Sequence, residues 1–269
     1  MTAHDKVSGS PEPHRLAELF ENYYRSYYLD ELGLADWRER TSSFRTREEE
    51  IIGEKLEQTA QLADVSLNVQ QALVVGCGSG AEMFYLAQRR GVSVVGIDPS
   101  PDAVEICQLK AAKKGLSSQI VGEESVERLS FAEASFDLII CFTVLEHVSD
   151  VDRALQEMIR VLAPGGQVLL VLPNYAYPEE PHYKILTLPP AWFPFMVKCH
   201  LKHLGKPTAL FDKLNFMTKG SLRTRLRKLG ISHRFVREYT YRKSIPLLFK
   251  LYCLAFGIDR NLIVVLEKQ

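Results

Sequence analysis

From residue 72 to residue 172 the chain alternates short, unbroken apolar runs with stretches of helical period. Residues 72–75 read as a strand ending in glycines, 81–90 as a helix closed by Gly91, and 92–97 as a β-branched strand ending in Asp98. A helix over 101–114 starts on a proline and stops before Gly115, which is where helices place those residues. The pattern predicts further strands over 118–121, 136–142 and 167–172. It also predicts a helix over 151–162, capped by Ser149 and Asp150, and a turn at Ala163-Pro164-Gly165-Gly166. Strands joined through helices pair in parallel, and strands apolar on both faces must be covered on both. The middle of the chain is therefore expected to be α/β: a doubly wound, mainly parallel sheet.

The rest is organised around that core. Residues 1–14, rich in Pro, Ser and Gly, read as a flexible tail. Residues 15–70 read as a helical cap, with Leu16, Leu19, Phe20, Tyr23, Tyr24 and Tyr27 at helical spacing. Residues 71–172 are the α/β core, and 173–216, aromatic and without a clear period, an insertion or lid. Residues 217–269 return to the same domain through a basic helix (218–229), a strand (232–239), an apolar helix (245–256) and a last strand (261–267). That makes seven strands in all.

The charge is zero overall but unevenly spread. Residues 1–195 carry 17 basic and 29 acidic side chains, whereas 196–250 carry 14 basic and 2 acidic. Such a block suits phosphate, nucleic acid or an anionic membrane, or it meets the acidic remainder of the same chain. The five cysteines form no CxxC pair and are expected to be free thiols of a reducing cytoplasm. The first residues lack the apolar core of a signal peptide. The apolar run at 245–258 is broken by Lys250 and is too short to span a bilayer.

The chemistry gathers where the first strand meets its helix. Gly76-Cys77-Gly78-Ser79-Gly80 lets backbone approach a ligand and opens a helix N-terminus toward it. Asp98, at the end of the next strand, is placed to accept hydrogen bonds from ribose hydroxyls. Read as Gly76-x-Gly78-x-x-Ala81, the same loop also fits a dinucleotide fingerprint. Three later pieces follow in order: Phe136-Asp137-Leu138-Ile139-Ile140, Leu145-Glu146-His147-Val148 and Leu162-Ala163-Pro164-Gly165-Gly166. Together with Val74-Val75-Gly76-Cys77-Gly78-Ser79-Gly80, they give residues 72–172 a pattern that resembles the class I S-adenosylmethionine-dependent methyltransferases. The strongest likeness is to the small-molecule branch that includes the ubiquinone and menaquinone methyltransferases.

The resemblance implies S-adenosyl-L-methionine as cofactor and a Rossmann-like sheet. It implies that Gly76, Cys77, Gly78 and Gly80 line the methionine end, that Asp98 holds the ribose, and that Pro99 packs beside the adenine. Ser125, followed by Val126, stands where the family has an Asp contacting the adenine, with Glu124 as a possible substitute. Phe142 and Thr143 are expected to border the sulfonium and its methyl.

A hydroxyl acceptor needs a group to take its proton. His147, just beyond the fourth strand, is the candidate catalytic base, and its alternative is a structural histidine at a helix entrance. His182 and Tyr183 in the insertion are candidate acceptor contacts, against the alternative of plain loop aromatics. Cys199, His200 and His203 stand at metal-like spacing but lack further ligands nearby, so no metal is expected.

The aromatic cap and insertion suit an apolar or ring-bearing acceptor. Transfer to a small-molecule or lipid-like acceptor, at oxygen, is the leading expectation. Peripheral membrane contact or a homodimer through 245–258 would accompany it. The alternatives are an RNA methyltransferase using the basic block, a non-catalytic cofactor-binding domain, or a nucleotide-dependent oxidoreductase.

Overall fold

The computed structural model describes residues 11–39, 41, 47–116, 121–238 and 246–268. Seven strands form one sheet in the order β3-β2-β1-β4-β5-β9-β8. They are β1 (Gln71–Val75), β2 (Ser93–Asp98), β3 (Val121–Glu123), β4 (Phe136–Phe142), β5 (Leu162–Pro173), β8 (Ser232–Val236) and β9 (Asn261–Glu267). The first five in that order are parallel, and β9 runs antiparallel between β5 and β8. A separate hairpin, β6 (Glu179–Glu180) with β7 (Ile185–Leu186), rises from the insertion.

The helices are α1 (Pro11–Arg25), α2 (Glu48–Leu62), α3 (Ala81–Tyr85), α4 (Pro101–Lys113), α5 (Val151–Val161), α6 (Pro194–His203), α7 (Lys219–Lys228) and α8 (Leu247–Phe256). Strand side chains alternate between the two faces, and each face has its own core. Ala72, Val74, Leu138 and Ile140 pack with Leu56, Met83, Phe84 and Cys107 of α2, α3 and α4. Leu73, Val75, Ile139 and Cys141 pack with Leu155 and Met158 of α5 and Leu222 and Leu226 of α7. The doubly wound sheet is thus covered on both sides, as the unbroken apolar strands require.

Several boundaries differ from the sequence reading. Helix α1 begins at Pro11, inside the stretch read as a loose tail. Strand β3 starts at Val121, so most of the strand expected over 118–121 lies outside the described residues, as do positions 239 and 245 of the later elements. The turn at 163–166 is absorbed into β5. Phe136 pairs with Leu162 but Leu138 pairs with Gln167, so residues 163–166 bulge out of register, with Gly165 at φ +76°.

Cap and insertion are not independent units. Leu32 and Leu34, between α1 and α2, share a buried cluster with Tyr175, Tyr183, Val197, Leu201, Phe211 and Leu214 of the insertion. Helix α8 is rooted by Cys253 against Ala176 and Tyr177, while Leu247, Leu248, Leu251, Leu254 and Phe256 are exposed. Among the described residues no helix is long and apolar enough to cross a membrane.

Candidate active site

The sheet changes direction of winding between β1 and β4, and ligands of such sheets bind in the crevice that opens there. One bank of the crevice is the loop after β1. Gly76, Gly78 and Gly80 adopt φ of +64°, +52° and +81°. A Cβ at Gly76 would lie 2.4 Å from Cγ2 of Val144, so this loop runs hard against the segment after β4. Cys77 N–H donates to Ile97 O at 2.9 Å.

Asp98 fixes the same loop from β2. Its Oδ2 accepts from Gly78 N–H and its Oδ1 from Ser100 N–H, each at 2.9 Å. Burial pushes the carboxyl above the usual range, and these two N–H groups pull against it. Each oxygen retains lone-pair capacity for a further donor.

The cap closes over this loop. Tyr24 and Ser79 both donate their hydroxyls to Glu48 Oε1, at 2.7 and 2.6 Å. Lys110 donates to Ser79 O at 2.8 Å and pairs with Glu49. The Tyr23 hydroxyl stands 3.2 Å from where a Cβ on Gly78 would be, and burial beside Asp98 raises its pKa. The aromatic cap residues read from sequence as acceptor-pocket lining are thus, for Tyr23 and Tyr24, turned to the glycine loop. Glu48 was missed, because Glu48-Glu49-Glu50 reads as the acidic first turn of a helix and nothing local marks its partners.

The opposite bank follows β4. Phe142 is half-buried, and Thr143 is exposed with φ +55°, a left-handed conformation rare outside glycine. His147 N–H closes a turn onto Val144 O at 2.8 Å. Asn215 clamps that turn: its Nδ2 donates to Leu145 O and Val148 O, and its N–H to Glu146 O. The hairpin β6–β7 brings His182 across, with its Nε2 3.4 Å from Nε2 of His147. Glu180, fully buried, accepts from His182 Nδ1 at 2.9 Å and from Tyr183 N–H at 2.8 Å.

Partial desolvation in the crevice and the neighbouring His182 push the His147 pKa down to about 4, although the residue keeps an exposed face, and burial raises that of Glu146 to about 7. Among the described residues both Glu146 oxygens are buried without a hydrogen-bond partner beyond their own backbone, and the Tyr175 hydroxyl is buried without one. The ligand atoms of Glu146, His147 and His182 all lie within 4.8 Å of one another.

Other sequence candidates fall differently. The Ser125 hydroxyl donates to Glu127 Oε2 at 3.1 Å, and Glu124 is held by Ser130. Val126 is buried in the α5 face of the core, and Pro99 is exposed. Tyr183 is buried, and its phenol donates to Pro207 O at 2.6 Å. Cys199 is an exposed free thiol, and among the described residues the grouping with metal-ligand geometry is the one at His147 instead. Part of the basic block is paired within the chain: Arg225 with Asp152, Lys198 with Asp212, Arg237 with Asp259. A cavity of about 590 Å³ under the cap is lined by Phe20, Glu48, Tyr85 and Lys110; none of Gly76, Asp98, Thr143 or His147 borders it.

Residues 73–170 match the family model described as "Methyltransferase domain". Over 117 residues the chain is 32% identical to a norajmaline N-methyltransferase of Rauvolfia serpentina, covering 42% of this chain and 39% of the relative. It is 29% identical over 203 residues to a ubiquinone biosynthesis O-methyltransferase of Pseudomonas fluorescens, covering 74% of this chain and 79% of the relative. The matches to the first curated relatives span about a third to a half of their length. Among solved structures, a possible histamine N-methyltransferase of Thermotoga maritima superposes with a TM-score of 0.53 at 17% identity, over 94% of this chain and 100% of the other. At that identity the likeness is one of fold.

Proposed function

We propose that this chain, whose residues 73–170 match a methyltransferase-domain model, is a class I S-adenosylmethionine-dependent methyltransferase that moves a methyl group onto a small-molecule or lipid-like acceptor, at oxygen. The observation that carries this reading is the facing of two sets of groups across the β1/β4 crevice. The glycine loop and Asp98 stand on one bank, and the His147–His182 pair stands on the other.

The residues present fit the cofactor. A cradle that a Cβ on Gly78 would crowd and a carboxylate with spare acceptor capacity suit a methionine end and a ribose. Gly76, Cys77, Gly78 and Gly80 would line the former and Asp98 would hold the latter. Pro99, Ser125 and Val126 would border the adenine, and Phe142 and Thr143 the reacting methyl. When bound, S-adenosylmethionine supplies a methyl already activated on a positively charged sulfur.

What remains for the chain is alignment, exclusion of water and a proton. The joined cap and insertion close the site, as the shared cluster of Leu32, Leu34, Tyr175 and Tyr183 suggests. His147 is neutral through the physiological range, so its lone pair is open to an acceptor hydroxyl. His182, braced by Glu180, stands beside it and fixes the direction in which that lone pair is presented.

The exposed leucines of α8 lie beside a second apolar group, Trp192, Phe193, Phe195 and Met196, joined through Trp192 and Tyr252 at 6.1 Å. Peripheral contact with a membrane is part of the same proposal, because a lipid-like acceptor would be delivered there. The intramolecular pairing of the basic block leaves an RNA acceptor less favoured.

The test uses S-adenosylmethionine carrying a radiolabelled methyl, the purified chain and a cell extract. Label in the organic or aqueous small-molecule fraction that disappears in Asp98→Ala protein is the expected result. Label in RNA, or none at all, would overturn the acceptor class or the activity itself.

A further inference from the structure

The buried carboxylate of Glu146 poses a problem that the fold alone does not solve. It is 0% exposed, and among the described residues neither oxygen has a hydrogen-bond partner beyond its own backbone. An ionised carboxylate left so costs several kcal/mol, and such groups are retained where something else completes them.

The neighbouring histidines pose a complementary one. Glu180 accepts from Nδ1 of His182 at 2.9 Å, which fixes the neutral ring in the tautomer with a bare Nε2. That lone pair points at Nε2 of His147, 3.4 Å away. A proton shared between the two rings would satisfy them, but it would leave Glu146 as it is.

We propose that Glu146, His147 and His182 form a divalent-cation site of the two-histidine, one-carboxylate kind. All three ligand atoms lie within 4.8 Å of one another, so a single ion fits among them. The supporting contacts are those that metal sites require. Glu180 orients His182 through its far nitrogen, and Asn215 clamps the turn carrying Glu146 and His147. Two imidazoles and one carboxylate select a borderline transition ion such as Zn²⁺ or Co²⁺ over Mg²⁺ or Ca²⁺.

Three protein ligands leave coordination positions open, and His147 is the exposed member of the set, so those positions face the crevice. The inference rests on the methyltransferase reading only for its purpose: an acceptor oxygen held there would lose its proton to solvent more readily. His147 then serves as a ligand to the ion, and the proton goes to water. Existence of the site does not depend on that reading.

The experiment titrates chelator-treated full-length chain with CoCl₂ and ZnCl₂, reading visible absorption for the first and calorimetry for the second. One equivalent of Co²⁺ per chain should bind and develop visible bands, with Zn²⁺ displacing it. His182→Ala and Glu146→Gln should weaken binding at least tenfold, and Glu180→Gln about 10–100-fold, as outer-sphere changes do. Cys199→Ser with His203→Ala should leave it intact. Circular dichroism and S-adenosylmethionine binding in the same variants read the fold and the cofactor site separately. Absence of saturable one-to-one binding in the unmodified chain would overturn the proposal. So would binding that survives His182→Ala in folded protein but is lost in the Cys199→Ser, His203→Ala variant. A chain that binds Co²⁺ but not S-adenosylmethionine would keep the site and sink the methyltransferase reading instead.

Discussion

The backbone N–H of Gly78 donates to Oδ2 of Asp98 at 2.9 Å, so one carboxylate ties the glycine loop after β1 to the end of β2. The carboxylate that shapes the loop is also the one proposed to accept from the cofactor's ribose. Its two oxygens already take one N–H each, and it accepts from further donors more strongly when it is ionised. Burial has raised its pKa. The sign follows: the empty protein holds the proton more tightly than a free aspartate does, the complex favours the carboxylate, and affinity for S-adenosylmethionine falls as pH drops through the raised pKa. Calorimetry from pH 7.5 downward should show weakening that approaches tenfold per pH unit. It should begin above the normal aspartate range. Asp98→Asn should bind more weakly at neutral pH and lose this dependence. An Asp98→Asn protein with the same pH profile would assign the titration elsewhere.

Gly76 and Gly91 offer a controlled comparison. Both sit near φ +65°, at +64° and +65°, yet a Cβ at Gly76 meets Val144 at 2.4 Å and one at Gly91 meets nothing within 4 Å. Gly91→Ala should cost only the left-handed backbone penalty, about 1–2 kcal/mol. Gly76→Ala adds overpacking of roughly 1–3 kcal/mol and pushes the loops after β1 and β4 apart. Urea unfolding should separate the two, and only Gly76→Ala should also weaken cofactor binding. Equal losses would mean that Val144 gives way freely.

The sheet was legible because its strands are apolar on both faces and its glycines and prolines fall at the helix ends; Gly76 to Gly80 and Asp98 could be named from spacing alone. Glu48, Glu180 and the orphaned state of Glu146 could not. A carboxylate's partner is set by tertiary packing, and Glu48 finds Tyr24 and Ser79 only because the cap folds back over the loop. The same holds for Leu32 and Leu34: their apolar character predicts burial, but not that Tyr175 and Tyr183 bury them. Tyr183 reads as an acceptor contact because an aromatic in an insertion looks available, and nothing in its local sequence marks the bond its phenol donates to Pro207.

Glu48 makes the cap a latch on the cofactor loop. Removing it takes away the acceptor that Tyr24 and Ser79 share, and losing a buried hydrogen-bond partner costs about 1–3 kcal/mol. Glu48→Ala should therefore lower stability by about that much. It should also release S-adenosylmethionine several-fold faster in a stopped-flow chase, with a smaller change in the association rate. Tyr24→Phe, which removes one of the two hydrogen bonds, should fall between. Unchanged dissociation in both variants would separate the cap from cofactor retention.

The apolar face of α8 lends itself to a direct assay. Leu247, Leu248, Leu251, Leu254 and Phe256 are 55–75% exposed, which an isolated chain in water would not favour as a contiguous patch. Residues 192–206 and 246–256 contain Lys198, Lys202, Lys206 and Lys250 and no acidic residue. Lys198 is paired with Asp212, and apolar side chains beside the other lysines suit an anionic bilayer surface. The chain should sediment with vesicles containing phosphatidylglycerol, and less so as salt rises, because the electrostatic part is screened. Leu248→Glu with Leu251→Glu should abolish that binding. Both side chains are exposed, so stability should shift by no more than roughly 0.5 kcal/mol per site. If the double variant instead leaves sedimentation untouched but shifts the protein to a smaller species in gel filtration, the face joins two copies of the chain. The lipid route for the acceptor would then fall away.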